Sequence, residues 1–106
     1  MAFERVADES GLRDGGLLGV KLQNGEEVCL AKVHGQLFAI KDECTHAKVP
    51  LSGGELGQDY CVECPLHGGK FDLRDGTAKE APAKVAVKTF SVKVEDGGIW
   101  VSGSAA

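Results

Sequence analysis

Two short segments constrain this chain more than anything else in it: Cys44-Thr45-His46 and Cys64-Pro65-Leu66-His67. Together they hold two of its three histidines and two of its four cysteines, and 17 residues separate His46 from Cys64. Around them Pro50, Gly53, Gly54, Gly57, Pro65, Gly68 and Gly69 punctuate the backbone. No helix or long strand runs easily through such a stretch, so it must fold as loops carried by something more regular. Four readings are open for the paired residues: coincidence, a disulfide, a zinc clip or an iron–sulfur centre.

The regular part reads as β. Helical periodicity is almost absent, and 15 glycines in 106 residues suit a loop-rich β protein better than a bundle. The segment "EEVCLAKVHGQLFAIKD" predicts strands over Val28–Val33 and Leu37–Lys41 with a tight turn at His34-Gly35. A further short strand is expected over Asp59–Glu63, then a turn at Asp75-Gly76 followed by a proline-bounded stretch. Val85–Val94 alternates, "EDGG" turns and "IWVS" returns, with Phe90, Val92 and Val94 on one face and "SGSAA" as a frayed tail. The expectation is one all-β domain over residues 1–106, an antiparallel sandwich or barrel-like scaffold. A lobe of two side-by-side loops, about residues 43–72, is inserted in it.

Charge and termini narrow the function classes. Twelve scattered Lys and Arg against sixteen Asp and Glu give a formal charge of −4, so no basic stripe faces nucleic acid or an anionic membrane. The N-terminal "MAFERVADESGLRDGG" lacks the basic-then-apolar pattern of a secretory signal, and no apolar run approaches the roughly 18 residues a membrane span needs. The expected compartment is the cytoplasm, where thiols stay reduced and paired cysteines point to metal before disulfide. Cys29 and Cys61 alternate within strand patterns and read as small core thiols, Trp100 as core, and His34 as a solvated turn residue.

Each loop offers one thiolate and one imidazole. Zinc accepts a Cys2His2 set, but zinc fingers usually pair like with like on each arm, and here each arm is mixed. Two mixed loops can span two neighbouring metal ions, with both thiolates on one iron and both imidazoles on the other, the partition of a Rieske [2Fe–2S] centre. At this point the sequence resembles the Rieske family. The resemblance rests on Cys44-x-His46, 17 residues, Cys64-x-x-His67, with "CTH", "PLSGG" and "CPLHGGKFD" around them. It runs from about Val28 to Pro82, where Pro82 resembles the family's cluster-covering proline loop. It implies the Rieske fold and one [2Fe–2S] cluster bound by Cys44, His46, Cys64 and His67. Gly68 and Gly69 are expected to let backbone N–H groups approach the cluster sulfurs.

Within the family, the subunits of respiratory and photosynthetic cytochrome complexes carry an extra disulfide between the loops and two hydroxyl side chains near the cluster. Here Val49 or a neighbour and Leu66 stand at the disulfide places, and Gly69 and Phe71 at the hydroxyl places. The resemblance therefore implies a low-potential, freestanding ferredoxin of a multicomponent aromatic-ring-hydroxylating dioxygenase system. Such a protein has no substrate site of its own. It would be a monomer passing single electrons from an NAD(P)H-dependent flavoprotein ferredoxin reductase to the terminal ring-hydroxylating oxygenase, and only His34 is left over for any second iron. The electron would leave at the imidazole side, past an apolar rim of Leu66, Val49 and Pro50, with Glu55, Asp59 and Glu63 steering basic partners. The rival readings are a Rieske-type small subunit of a reductase such as assimilatory nitrite reductase, and a structural zinc module.

Overall fold

The computed structural model describes residues 3–44, 49–66, 68–80 and 85–105. Among these residues ten strands make two antiparallel sheets. In the larger, β1 (Phe3–Asp8), β2 (Leu17–Lys21), β3 (Glu27–Val33), β4 (Gln36–Lys41), β9 (Thr89–Glu95) and β10 (Gly98–Ala105) lie in the order β1-β10-β9-β4-β3-β2. The smaller runs β5 (Glu55–Leu56), β6 (Cys61–Glu63), β7 (Lys70–Asp72) and β8 (Ala78–Glu80) in chain order. The large sheet is curled into a barrel-like scaffold, its edge strands β1 and β2 meeting, and Gln23 N–H donates to the Glu4 carboxylate across that meeting at 2.8 Å.

The smaller sheet is an insertion between neighbours. β4 and β9 pair directly, Ala39 with Phe90 and Ile40 with Thr89, so the chain leaves the large sheet after Lys41 and returns beside its point of exit. A further bond, Lys41 N–H to the Lys88 carbonyl at 2.8 Å, closes this neck. The inserted sheet runs on past Asp72 to Glu80.

Strand β3 explains why the insertion sits where it does. It is buried on both faces, which only a nearly continuous apolar run such as "VCLA" permits in an antiparallel sheet. Val28 and Leu30 point into the scaffold core with Ala39, Phe90, Ile99 and Val101. Cys29, Ala31 and Val33 point the other way, into a second core shared with Leu51, Val62, Phe71 and Leu73 of the insertion. One strand thus serves two cores, and the insertion is packed on the scaffold rather than tethered to it.

The two predicted hairpins form as expected. His34-Gly35 and Asp96-Gly97 both have left-handed φ (52° and 77°, 52° and 74°), the two-residue turn that matches strand twist. Other expectations are corrected. The strand predicted from Val85 begins only at Thr89, because Val87 donates its N–H to the Gly76 carbonyl (2.8 Å) and so ties down the insertion's turn instead of joining a ladder. Val94 is 43% exposed, whereas Phe90 is buried. The supposed tail continues β10 to Ala105, with Ser102 opposite Phe3 and Ala105 opposite Phe90. Ile99 and Val101 supply the core of that strand, while Trp100 is only half-buried and donates its indole N–H to the Glu95 carbonyl at 3.1 Å. The strand expected from Asp59 starts at Cys61, since Tyr60 is left-handed (φ 67°), and the proline-bounded stretch contains β8.

Candidate metal centre

The two cysteine loops are closed in the same way. Cys44 donates its N–H to the Val49 carbonyl at 2.9 Å, and Cys64 donates to the Gly69 carbonyl at 2.7 Å, each five residues on. The second loop is carried by the β6–β7 ladder, in which Glu63 pairs with Lys70. The first leaves the end of β4 and returns through a 3-10 turn, Leu51–Gly53, into β5.

What brings the loops side by side is the pairing of β5 with β6, Glu55 opposite Glu63, reinforced at Gly54. A Cβ on Gly54 would lie 1.9 Å from the Glu63 carbonyl oxygen, a distance no side chain tolerates. Only glycine lets these backbones meet, which gives "PLSGG" its physical meaning. Cys44 and Cys64 are consequently buried (3% and 2% exposed) in one apolar cluster with Leu51, Val62 and Phe71. Beside Cys64 the surface opens into a depression of about 450 Å³ walled by Gly53, Gly54, Glu55, Glu63 and Leu66.

Of the other two cysteines, Cys29 packs in this same cluster from β3 and Cys61 is buried at the start of β6, the core thiols expected. Burial, with the Asp42 carboxylate adding to it, pushes the Cys29 thiol up to about 12, and burial also raises Cys61. Both stay protonated near neutrality. None of the four cysteines is in a disulfide. His34 is exposed but not idle: its Nε2 donates to the Gln58 carbonyl at 3.0 Å and its ring lies 5.3 Å from that of Tyr60.

His46 and His67 lie outside the described residues, as does Pro82. Among the described residues no group of three or more metal-binding side chains assembles. The expectation for Gly68 is corrected in part. It is left-handed (φ 76°), but its N–H donates to the Cys64 carbonyl at 3.2 Å, so it shapes the loop instead of facing outward. Sequence reasoning missed Asp42 and Ser52. Ser52 gives its N–H and its hydroxyl to the two carboxylate oxygens of Asp42, both at 2.7 Å. The only sequence signal was an aspartate just before the first loop and a serine just after it.

A scaffold that is all antiparallel β, with a small inserted sheet presenting two like-closed cysteine loops, defines a narrow structural class. The Rieske [2Fe–2S] domain family matches residues 3–91, and the chain belongs to that family. It is 39% identical over 101 residues to the ferredoxin component of biphenyl 2,3-dioxygenase from Rhodococcus jostii, covering 95% of this chain and 92% of that one. The ferredoxin of carbazole 1,9a-dioxygenase from Nocardioides aromaticivorans superposes with a TM-score of 0.92 at 30% identity, over 98% of this chain and 100% of that one. A chain in a complex of reduced oxygenase and oxidized ferredoxin of carbazole 1,9a-dioxygenase gives 0.90 at 31%, over 98% and 95%. A putative NADH-dependent nitrite reductase small subunit from Mycobacterium tuberculosis shares the fold (TM-score 0.87) at 24% identity, over 99% and 97%.

Proposed function

We propose that Cys44, His46, Cys64 and His67 hold one [2Fe–2S] cluster, thiolates on one iron and imidazoles on the other. Through it the chain carries single electrons from an NAD(P)H-dependent flavoprotein reductase to a terminal aromatic-ring-hydroxylating oxygenase. The observation that carries this reading is the matched pair of loops. Each contributes a buried thiol to one apolar cluster, and each bears a histidine two or three positions on. The donor chemistry fits: two reduced, buried cysteines need a soft cation to be useful as thiolates, and a mixed sulfur–nitrogen set is what a Rieske cluster takes.

When bound, the cluster supplies a reversible one-electron store. The protein's own residues do the rest. Phe71, Val62 and Leu51 exclude water from the sulfur side. Leu66 (56% exposed) and the exposed Pro50 and Pro65 leave an apolar rim at the loops, suited to brief contact with another protein. The chain is an electron-transfer component rather than an enzyme. It works as one domain over residues 1–106, as a cytoplasmic monomer.

Likeness to the nitrite reductase subunit is one of fold alone, whereas the dioxygenase ferredoxin match is one of sequence along nearly the whole chain. The test is reconstitution. Iron and acid-labile sulfide are measured on the purified chain, followed by NADH-driven turnover with candidate reductases and oxygenases. Turnover that requires this chain supports the reading, and a chain lacking iron and sulfide overturns it.

A further inference from the structure

We infer that Asp42 and Ser52 are positioning residues for the first cysteine–histidine loop, clamping its neck so that Cys44 is held against the second loop. This inference rests on the ligand assignment proposed above.

The two loops differ in how their ends are joined. The ends of the second are consecutive strands of one ladder, with Cys61 opposite Asp72, Val62 opposite Phe71 and Glu63 opposite Lys70. The ends of the first belong to different sheets: it begins after β4 of the large one and ends before β5 of the small one, so among the described residues no ladder joins them. The Cys44–Val49 bond closes the loop further in, and Asp42 and Ser52 join its ends. Asp42 is itself fixed to the scaffold, its N–H donating to the Glu27 carbonyl at 2.9 Å. Both of its carboxylate oxygens then accept from Ser52, one from the amide and one from the hydroxyl, each at 2.7 Å. Ser52 lies in the 3-10 turn beside Leu51, which is fully buried.

A third element completes the arrangement. Gly19 of β2 faces the pair, and a Cβ there would lie 2.9 Å from both Asp42 Oδ2 and Ser52 Oγ. The scaffold therefore leaves a notch into which the clamp fits. Two short bonds to one part-buried carboxyl hold their partners closely, and these two bracket the segment that contains Cys44 and His46.

The test compares Ser52→Ala, Ser52→Thr, Asp42→Ala and the double variant with the parent. Three readouts are followed: the rate of cluster loss in the presence of an iron chelator, the EPR spectrum of the reduced protein, and its reduction potential. Ser52→Ala is expected to lose its cluster roughly tenfold faster, in line with the effect of removing a residue that orients metal ligands, and Asp42→Ala faster still. The double variant should be no worse than Asp42→Ala, since both substitutions break one interaction. Ser52→Thr should restore the parent's rate and EPR line positions, which a general loss of stability would not do. If Asp42→Ala fails to fold by circular dichroism, the serine pair decides. Ser52→Ala indistinguishable from the parent, or Ser52→Thr as leaky as Ser52→Ala, overturns the clamp alone. A parent chain without iron and sulfide overturns the ligand assignment and the clamp together.

Discussion

The side chains that are missing near Cys64 say as much as those present. Gly69 and Phe71 stand where hydroxyl donors raise the potential in relatives from cytochrome complexes, and Phe71 is fully buried in the same apolar cluster as both cysteines. Reduction adds negative charge, so a donor stabilises the reduced form. A hydrogen bond to a charged group is worth about 1.5–3 kcal/mol. At about 59 mV per 1.4 kcal/mol for one electron, each absent donor lowers the potential by up to roughly 60–130 mV. The expected value is near the bottom of the Rieske range, about −150 mV. A redox titration followed by circular dichroism measures it, and a midpoint above about +100 mV contradicts the subclass. Cysteine substitutions separate ligand from core at the same scale. Iron content should survive Cys29→Ala, which costs about 1–2 kcal/mol of stability through the small cavity it leaves. Cys44→Ala and Cys64→Ala should each purify without the cluster.

At the scale of elements, what the sequence revealed followed from local chemistry, and what it hid depended on distant partners. The β3–β4 and β9–β10 hairpins were legible because a glycine-containing turn sat between apolar runs. β1 and β2 were not, since "FERVAD" and "LLGVK" carry no clean alternation, and their pairing with β10 and β3 is what makes them strands. The cysteine–histidine spacing was legible, but the clamp and Gly54 were not, because a serine or a glycine in a loop signals nothing until its partner is beside it. The same holds for the turn after β7. There the buried Asp72 (side chain 5% exposed) accepts from the Arg74 backbone N–H at 2.9 Å and from its guanidinium at 3.0 and 2.8 Å, and Arg74 lies over the Tyr60 ring at 4.6 Å. The Arg74 guanidinium holds the Asp72 carboxyl below its ordinary 3.8, and bonds from Thr77 hold Asp75 below it as well. Because the folded pKa lies below the unfolded one, this stabilisation is complete above about pH 4 and is lost as pH falls through the lowered values. Thermal unfolding against pH should show that decline. Asp72→Asn should flatten part of it while costing about 1–3 kcal/mol at neutral pH. Gly54→Ala is expected to separate β5 from β6, costing about 3 kcal/mol and releasing the cluster, as read by unfolding and iron content.

For the molecule as a whole, a net charge of −4 matters less than where some of it lies. Glu55 and Glu63 face each other across the β5–β6 pair, a like-charge arrangement that costs stability, and both border the depression beside Cys64. Lys70, opposite Glu63 on its other side, offsets part of that cost, and the placement would suit encounters with a basic partner. Carboxylates around the loops raise the encounter rate without prolonging the complex. Glu55→Lys separates the two effects. It sets a cation opposite Glu63, so the folded protein should gain about 0.2–1 kcal/mol and melt no lower than the parent. The same substitution should slow electron exchange with a partner reductase or oxygenase about tenfold at low ionic strength in stopped-flow measurements. Raising salt toward 0.5 M should erase most of the difference, because exposed charges are screened within a few ångströms there. A variant that is both more stable and slower, with the slowing abolished by salt, would place the acidic pair in partner encounter. A variant as fast as the parent at every ionic strength would remove these carboxylates from that role.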